Sequence, residues 1–102
     1  MEQYTLQTYM AEAIETMRHR KLTLAVVIPC YNEINHIEEI LARVEAVGLA
    51  NEIIIVDDGS TDGTREVLRR IEAENRPNLR IIYHERNQGK GAALVTGFAA
   101  AS

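Results

Sequence analysis

Residues Glu52, Ile53, Ile54, Ile55, Val56, Asp57, Asp58, Gly59, Ser60, Thr61, Asp62, Gly63 and Thr64 leave this chain few folds to choose from. Three isoleucines and a valine make a β-branched run too short for a helix, and it stops at two adjacent carboxylates followed by glycines and hydroxyls. The pattern is that of a buried strand emptying into a polar turn. Thr61 or Asp62 is placed to cap a following helix in which Val67, Leu68 and Ile71 recur at helical spacing. In open α/β sheets ligands collect outside the carboxyl ends of the strands, so Asp57 and Asp58 fall where a ligand would be read.

The same unit occurs on either side. Residues 22–28 form an apolar, β-branched segment whose strand is expected to stop at Pro29, because proline cannot donate to a ladder. The loop Pro29, Cys30, Tyr31, Asn32, Glu33 follows. Asn35 and Glu38 then have the capping-box spacing, and Ile37, Ile40, Leu41, Val44 and Val47 make the buried stripe of a helix closed by Gly48. After the central unit, whose helix runs to about Glu74, the chain breaks at Asn75, Arg76, Pro77 and Asn78. Leu79, Ile81 and Tyr83 alternate with Arg80 and Ile82 as in a strand near a sheet edge. His84 to Gly91 is a third polar loop, and a helix is expected from Ala92 onward.

Three strand-loop-helix units in succession imply parallel strands, right-handed crossovers and a three-layer α/β/α domain with all three loops on one sheet edge. Ahead of it, Leu6, Tyr9, Met10, Ala13, Ile14 and Met17 have the spacing of an amphipathic helix expected to pack on the sheet. The division expected is therefore an N-terminal helix in residues 1–21 and an α/β domain in residues 22–102.

A net charge of −4 argues against a nucleic-acid partner. The single cysteine, Cys30, has no internal disulfide partner, which fits a reducing, cytoplasmic setting and a role as buried filler. His19, His36 and His84 lack the spacing of a metal pair, so no metal ligand is assigned. What the loop edge does offer is the Tyr31 ring, the carboxylates of Glu33, Asp57 and Asp58, and Lys90 between two glycines at a helix start. Carboxylates accept from base N–H or ribose hydroxyl groups, and a lysine at a helix N-terminus suits phosphate. Together these suggest a nucleotide ligand.

Three segments in order, Val27 to Glu33, Ile55 to Thr64 and Asn87 to Ala93, resemble the start of family 2 glycosyltransferases, with dolichyl- and polyprenyl-phosphate sugar synthases nearest in look. The resemblance implies a partial GT-A, Rossmann-like domain that binds a nucleotide-diphosphate sugar of UDP or GDP type. It implies Pro29, Tyr31 and Glu33 around base and ribose, Asp57 and Asp58 at the nucleoside, and Lys90 toward the diphosphate. It further implies Mg²⁺ or Mn²⁺ held by an Asp-x-Asp motif on the next strand, with sugar transferred to a polyprenyl phosphate at the cytoplasmic face of a membrane. The sequence ends at Ser102, where that metal strand would begin, so no catalytic residue is assigned, no metal is expected on this chain alone, and little turnover is expected from it. The strand at residues 22–28 would then be an exposed edge, either open to self-association or covered by the N-terminal helix. The rival reading is a non-catalytic assembly module that oligomerises and binds no nucleotide.

Overall fold

A computed structural model describes residues 24–48 and 50–101. The amphipathic helix expected in residues 1–21 lies outside them. The order is β1 (Ala25–Cys30), α1 (Ile37–Val47), β2 (Glu52–Asp57), α2 (Thr64–Glu72), β3 (Leu79–Tyr83) and α3 (Lys90–Ala100). The strands form one parallel sheet in the order β1-β2-β3, with Ile28 opposite Ile55 and Ile55 opposite Ile81.

Strand alternation divides the apolar residues between two layers. Ile28, Cys30, Ile53 and Ile55 pack with Ile37 and Leu41 of α1 and Leu68 and Ile71 of α2. On the opposite face Ile54 and Val56 pack with Ala93 of α3, joined by Val27 and Ile82. Because β2 is covered on both faces it reads as an unbroken apolar run, whereas β3 at the sheet edge is only partly buried. This is the expected three-layer arrangement.

Three local expectations are corrected. β1 does not stop at Pro29 but continues through Cys30. The carbonyls of Leu24 and Cys30 accept N–H groups from Asn51 and Asp58, so alternate residues of β1 face β2 and Pro29 points its missing donor the other way, where no ladder bond is lost. Asn35 does not cap α1, because the Glu33 carbonyl takes the N–H groups of His36 and Ile37 and winds a turn that places His36 at the cap position without a side-chain bond. At α2 the cap position is Gly63, yet Asp62 does the expected work one residue earlier by accepting the Thr64 N–H at 2.9 Å. Gly48 closes α1 in the left-handed conformation, as expected.

Helix α3 lies close on β1 through Gly97. A Cβ there would sit 2.3 Å from Val27 Cγ1. Alanine in a helix interior is favoured over glycine by about 1 kcal/mol, but overpacking costs about 1–3 kcal/mol, and at so short a separation the clash decides the sign. Gly97→Ala is expected to lower the urea midpoint of unfolding, and adding Val27→Ala to recover most of the loss; a more stable Gly97→Ala single variant would contradict the close approach.

Candidate functional site

The three loops meet at the carboxyl ends of the strands, and backbone donors hold them together. Asn32 N–H donates to Ser60 Oγ and Thr61 N–H returns a bond to Asn32 Oδ1, at 2.9 and 2.8 Å. Glu33 N–H donates to Thr64 Oγ1 at 2.9 Å, and Ile34 N–H to Asp62 Oδ2 at 3.3 Å. The Ser60 and Thr64 hydroxyls and the last acid of the central motif are therefore spent on fixing the first loop. Hydrogen bonds from Thr64 hold the Asp62 carboxyl below the usual range. Gly59 has φ +75°, and a Cβ there would meet the Arg86 and Asn87 backbone at 2.5 Å, so the second and third loops touch main chain to main chain.

Strand alternation sends the two central acids to opposite sides. Asp57 is fully buried, its Oδ2 receiving Arg65 Nε at 3.0 Å. Arg65 also donates to the His84 carbonyl, and the guanidinium groups of Arg65 and Arg69 lie 5.5 and 5.1 Å from the Tyr83 ring centroid. Asp57 thus ties β2 to α2 and to the third loop.

Asp58 is only 3% exposed and faces the layer of α3. Its Oδ1 accepts Gln88 N–H and pairs with His84 Nδ1, its Oδ2 accepts Gly89 N–H, and all three distances are 2.9 Å. Burial acts to raise its pKa, but the Gln88, His84 and Gly89 bonds outweigh burial and hold the carboxyl below the usual range.

A cleft of about 280 Å³ opens beside Asp58, lined by Pro29, Cys30, Tyr31, Glu33, Asp58, Asn87, Lys90 and Ala93. Five of the six residues singled out from sequence surround it. The sixth, Asp57, does not line it. Tyr31 is 45% exposed, and the Glu33 carboxylate lies 3.4 Å from His36 Nδ1. Lys90 is the first residue of α3 and is exposed. The Cys30 thiol is pushed up to about 12 by burial and then by the negative charge of Asp57 and Glu33, which holds it in its neutral form. Among the described residues no three histidine, cysteine or acidic side chains gather as metal ligands.

The sequence reading missed Asn87 and the buried His84. His84 carries no periodic signature, being a lone histidine just past a strand. The alternation of β2 did hold a usable signal for the acids, since neighbours in a strand cannot share a face.

The sequence model of Glycosyl transferase family 2 matches residues 25–102. The chain belongs to this glycosyltransferase family. It is 41% identical over 81 residues to the undecaprenyl-phosphate 4-deoxy-4-formamido-L-arabinose transferase of Edwardsiella ictaluri, covering 74% of this chain and 24% of that protein. The enzyme of the same description from Salmonella paratyphi B is 37% identical over 79 residues, with the same coverage. Among solved structures, the mannosyltransferase PcManGT of Pyrobaculum calidifontis, in complex with GDP-Man and Mn²⁺, superposes with a TM-score of 0.69 at 32% identity, over 78% of this chain and 24% of that one. The fold is that of a GT-A, Rossmann-like glycosyltransferase domain, and the chain spans about a quarter of the length of these relatives.

Because Asp58 and Asp62 have lower carboxyl pKa values folded than unfolded, the stability they supply is complete above the ordinary carboxylate range and is lost as pH falls through their folded values. Asp58→Asn would turn an amide donor toward either Gln88 or Gly89. It is expected to cost about 2 kcal/mol, the scale of a lost hydrogen bond to a charged group. Thermal melts at neutral pH and at pH values down to about 3 should show a lower Tm and a shallower acid limb for the variant; an unchanged acid limb would remove Asp58 as its source.

Proposed function

We propose that the cleft binds the nucleoside-diphosphate part of a nucleotide sugar of UDP or GDP type. The observation that carries this reading is the convergence of Pro29, Tyr31, Glu33, Asp58 and Lys90, from three successive loops, on one cleft at the carboxyl edge of a parallel sheet. At about 280 Å³ the cleft is at the lower end for small-molecule sites and suits a nucleoside with its first phosphates. Tyr31 offers an exposed ring face to the base, Pro29 a wall, and Glu33 acceptors for ribose hydroxyls. Asp58 keeps one lone pair of Oδ2 for a ligand donor. Lys90 adds its charge to the positive end of α3, where a diphosphate is favoured. Asp57 acts from behind, through Arg65, by keeping the third loop in place.

The protein carrying this domain is read as a transferase that moves the sugar to a polyprenyl phosphate at the cytoplasmic face of a membrane, on the pattern of the undecaprenyl-phosphate enzymes it resembles. No helix of the described residues is long and apolar enough to cross a membrane. The Mn²⁺ in the mannosyltransferase complex supports a divalent cation, Mg²⁺ or Mn²⁺, in the complete enzyme. The residues described here do not fit such an ion, so no step through a metal follows from them. Among the described residues β1 pairs with β2 alone, and its outer edge supports self-association of the isolated chain.

Titration calorimetry with UDP and GDP, each with and without Mn²⁺, tests the reading: heat with one nucleotide and not the other identifies the base, and no heat from a folded sample defeats it in favour of a non-binding assembly module. Asp58→Ala is expected to weaken the nucleotide that binds by about 10-fold or more. An unchanged affinity would move the site elsewhere. Light scattering across a concentration series checks the edge, a strict monomer at all concentrations counting against self-association.

A further inference from the structure

His84 is 8% exposed and buried between two elements that the cleft depends on. Its Nδ1 lies 2.9 Å from Asp58 Oδ1 and its Nε2 lies 2.9 Å from Thr96 Oγ1 in α3. Its backbone is fixed independently, since the His84 N–H donates to the Asp57 carbonyl at 2.8 Å and its own carbonyl receives Arg65. An ionised carboxylate only accepts, so Nδ1 must carry the proton, and in the neutral ring Nε2 is then the acceptor of the Thr96 hydroxyl. The ring is locked from both sides.

The acceptor capacity of Asp58 gives this lock a consequence. A carboxylate has about four acceptor positions. His84 and Gln88 occupy Oδ1, and Gly89 takes one position on Oδ2, which leaves a single acceptor position on a carboxylate that lines the cleft. Without the imidazole, only the two backbone donors of one loop resist rotation of the carboxylate toward water. The same rotation would release the N–H groups of Gln88 and Gly89, the two residues that lead into Lys90 and the first turn of α3.

We propose that His84 is a positioning residue of the nucleotide site: through its Nδ1–H it holds Asp58 in the one orientation that both pins the Gln88-Gly89 backbone and presents a single Oδ2 acceptor to the ligand. The proposal rests on the nucleotide reading of the cleft. His84 itself does not line the cleft and acts only through Asp58 and the loop. Thr96 supports it from the far side of the ring.

Two substitutions separate this role from space filling. His84→Asn puts an amide N–H near the place of Nδ1–H, while His84→Leu fills much of the volume and donates nothing. Both are first compared with the wild-type chain in denaturant unfolding. Amide hydrogen exchange of Gln88 and Gly89 is expected to accelerate in His84→Leu and to stay close to wild type in His84→Asn. UDP or GDP affinity is expected to fall by about 10-fold or more in His84→Leu, the scale of one hydrogen bond to an ionised group, and to return to within about 3-fold of wild type in His84→Asn. A long-range ¹⁵N–¹H spectrum of the wild-type chain, which needs no variant to fold, is expected to show the Nδ1–H tautomer at His84. An Nε2–H tautomer, wild-type protection and affinity in His84→Leu, or equal losses in both variants would overturn the proposal. Failure of the wild-type chain to bind either nucleotide would instead overturn the reading on which it rests, while the tautomer and the exchange pattern still report the contact itself.

Discussion

One buried carboxylate holds the loop edge of this domain together. Asp58 takes its main-chain position from β2, through its N–H on the Cys30 carbonyl, and spends its side chain on the loop that follows β3. An ionised group in that position would be costly if left unpaired, and three donors at hydrogen-bond distance remove the cost. The third loop and the start of α3 therefore cannot shift without uncovering a buried charge. The cleft inherits that rigidity, because its walls are the residues on either side of this junction.

The central motif divides its labour in a way that its compact spelling conceals. Ser60, Asp62 and Thr64 face the first loop and bind its backbone, Asp57 faces α2, and Asp58 alone turns toward the cleft. Gly59 is glycine because the third loop passes too near for any side chain. Most of the motif is a clamp between loops, and one carboxylate is left to line the cleft. Lys90 and Tyr31, by contrast, are exposed at the rim of the cleft.

Much of the fold was legible because its two periodicities are clean. The run from Ile53 to Val56 has no polar break and reads as a strand covered on both faces, and the stripe at Ile37, Leu41 and Val44 reads as a helix covered on one. What failed depended on directions that periodicity does not carry. Whether Pro29 ends β1 turns on which edge its nitrogen faces, and whether Asn35 caps α1 turns on where the Glu33 carbonyl happens to lie. At the site, residue types and order pointed to Pro29, Tyr31, Glu33, Asp57, Asp58 and Lys90 without separating the two acids, because burial was invisible. Nothing in residue type or order assigned a role to His84 or Arg65, whose contacts exist only once the layers close over them.

The sheet order follows the chain order, with β1 beside β2 and β2 beside β3. Each pairing therefore closes a loop of one crossover and no more, which keeps the entropic toll of bringing strands together close to the minimum for parallel strands. The walls of the cleft come from all three units, with Asp58 of the second between the first and the third. The cleft needs the whole of α3 in place, because Thr96 and Gly97, beyond its first turn, reach back to His84 and Val27. A surface assembled in this way forms as one unit, since the helix that ends the series also seats the first strand, and the walls of the cleft come together with the core rather than after it.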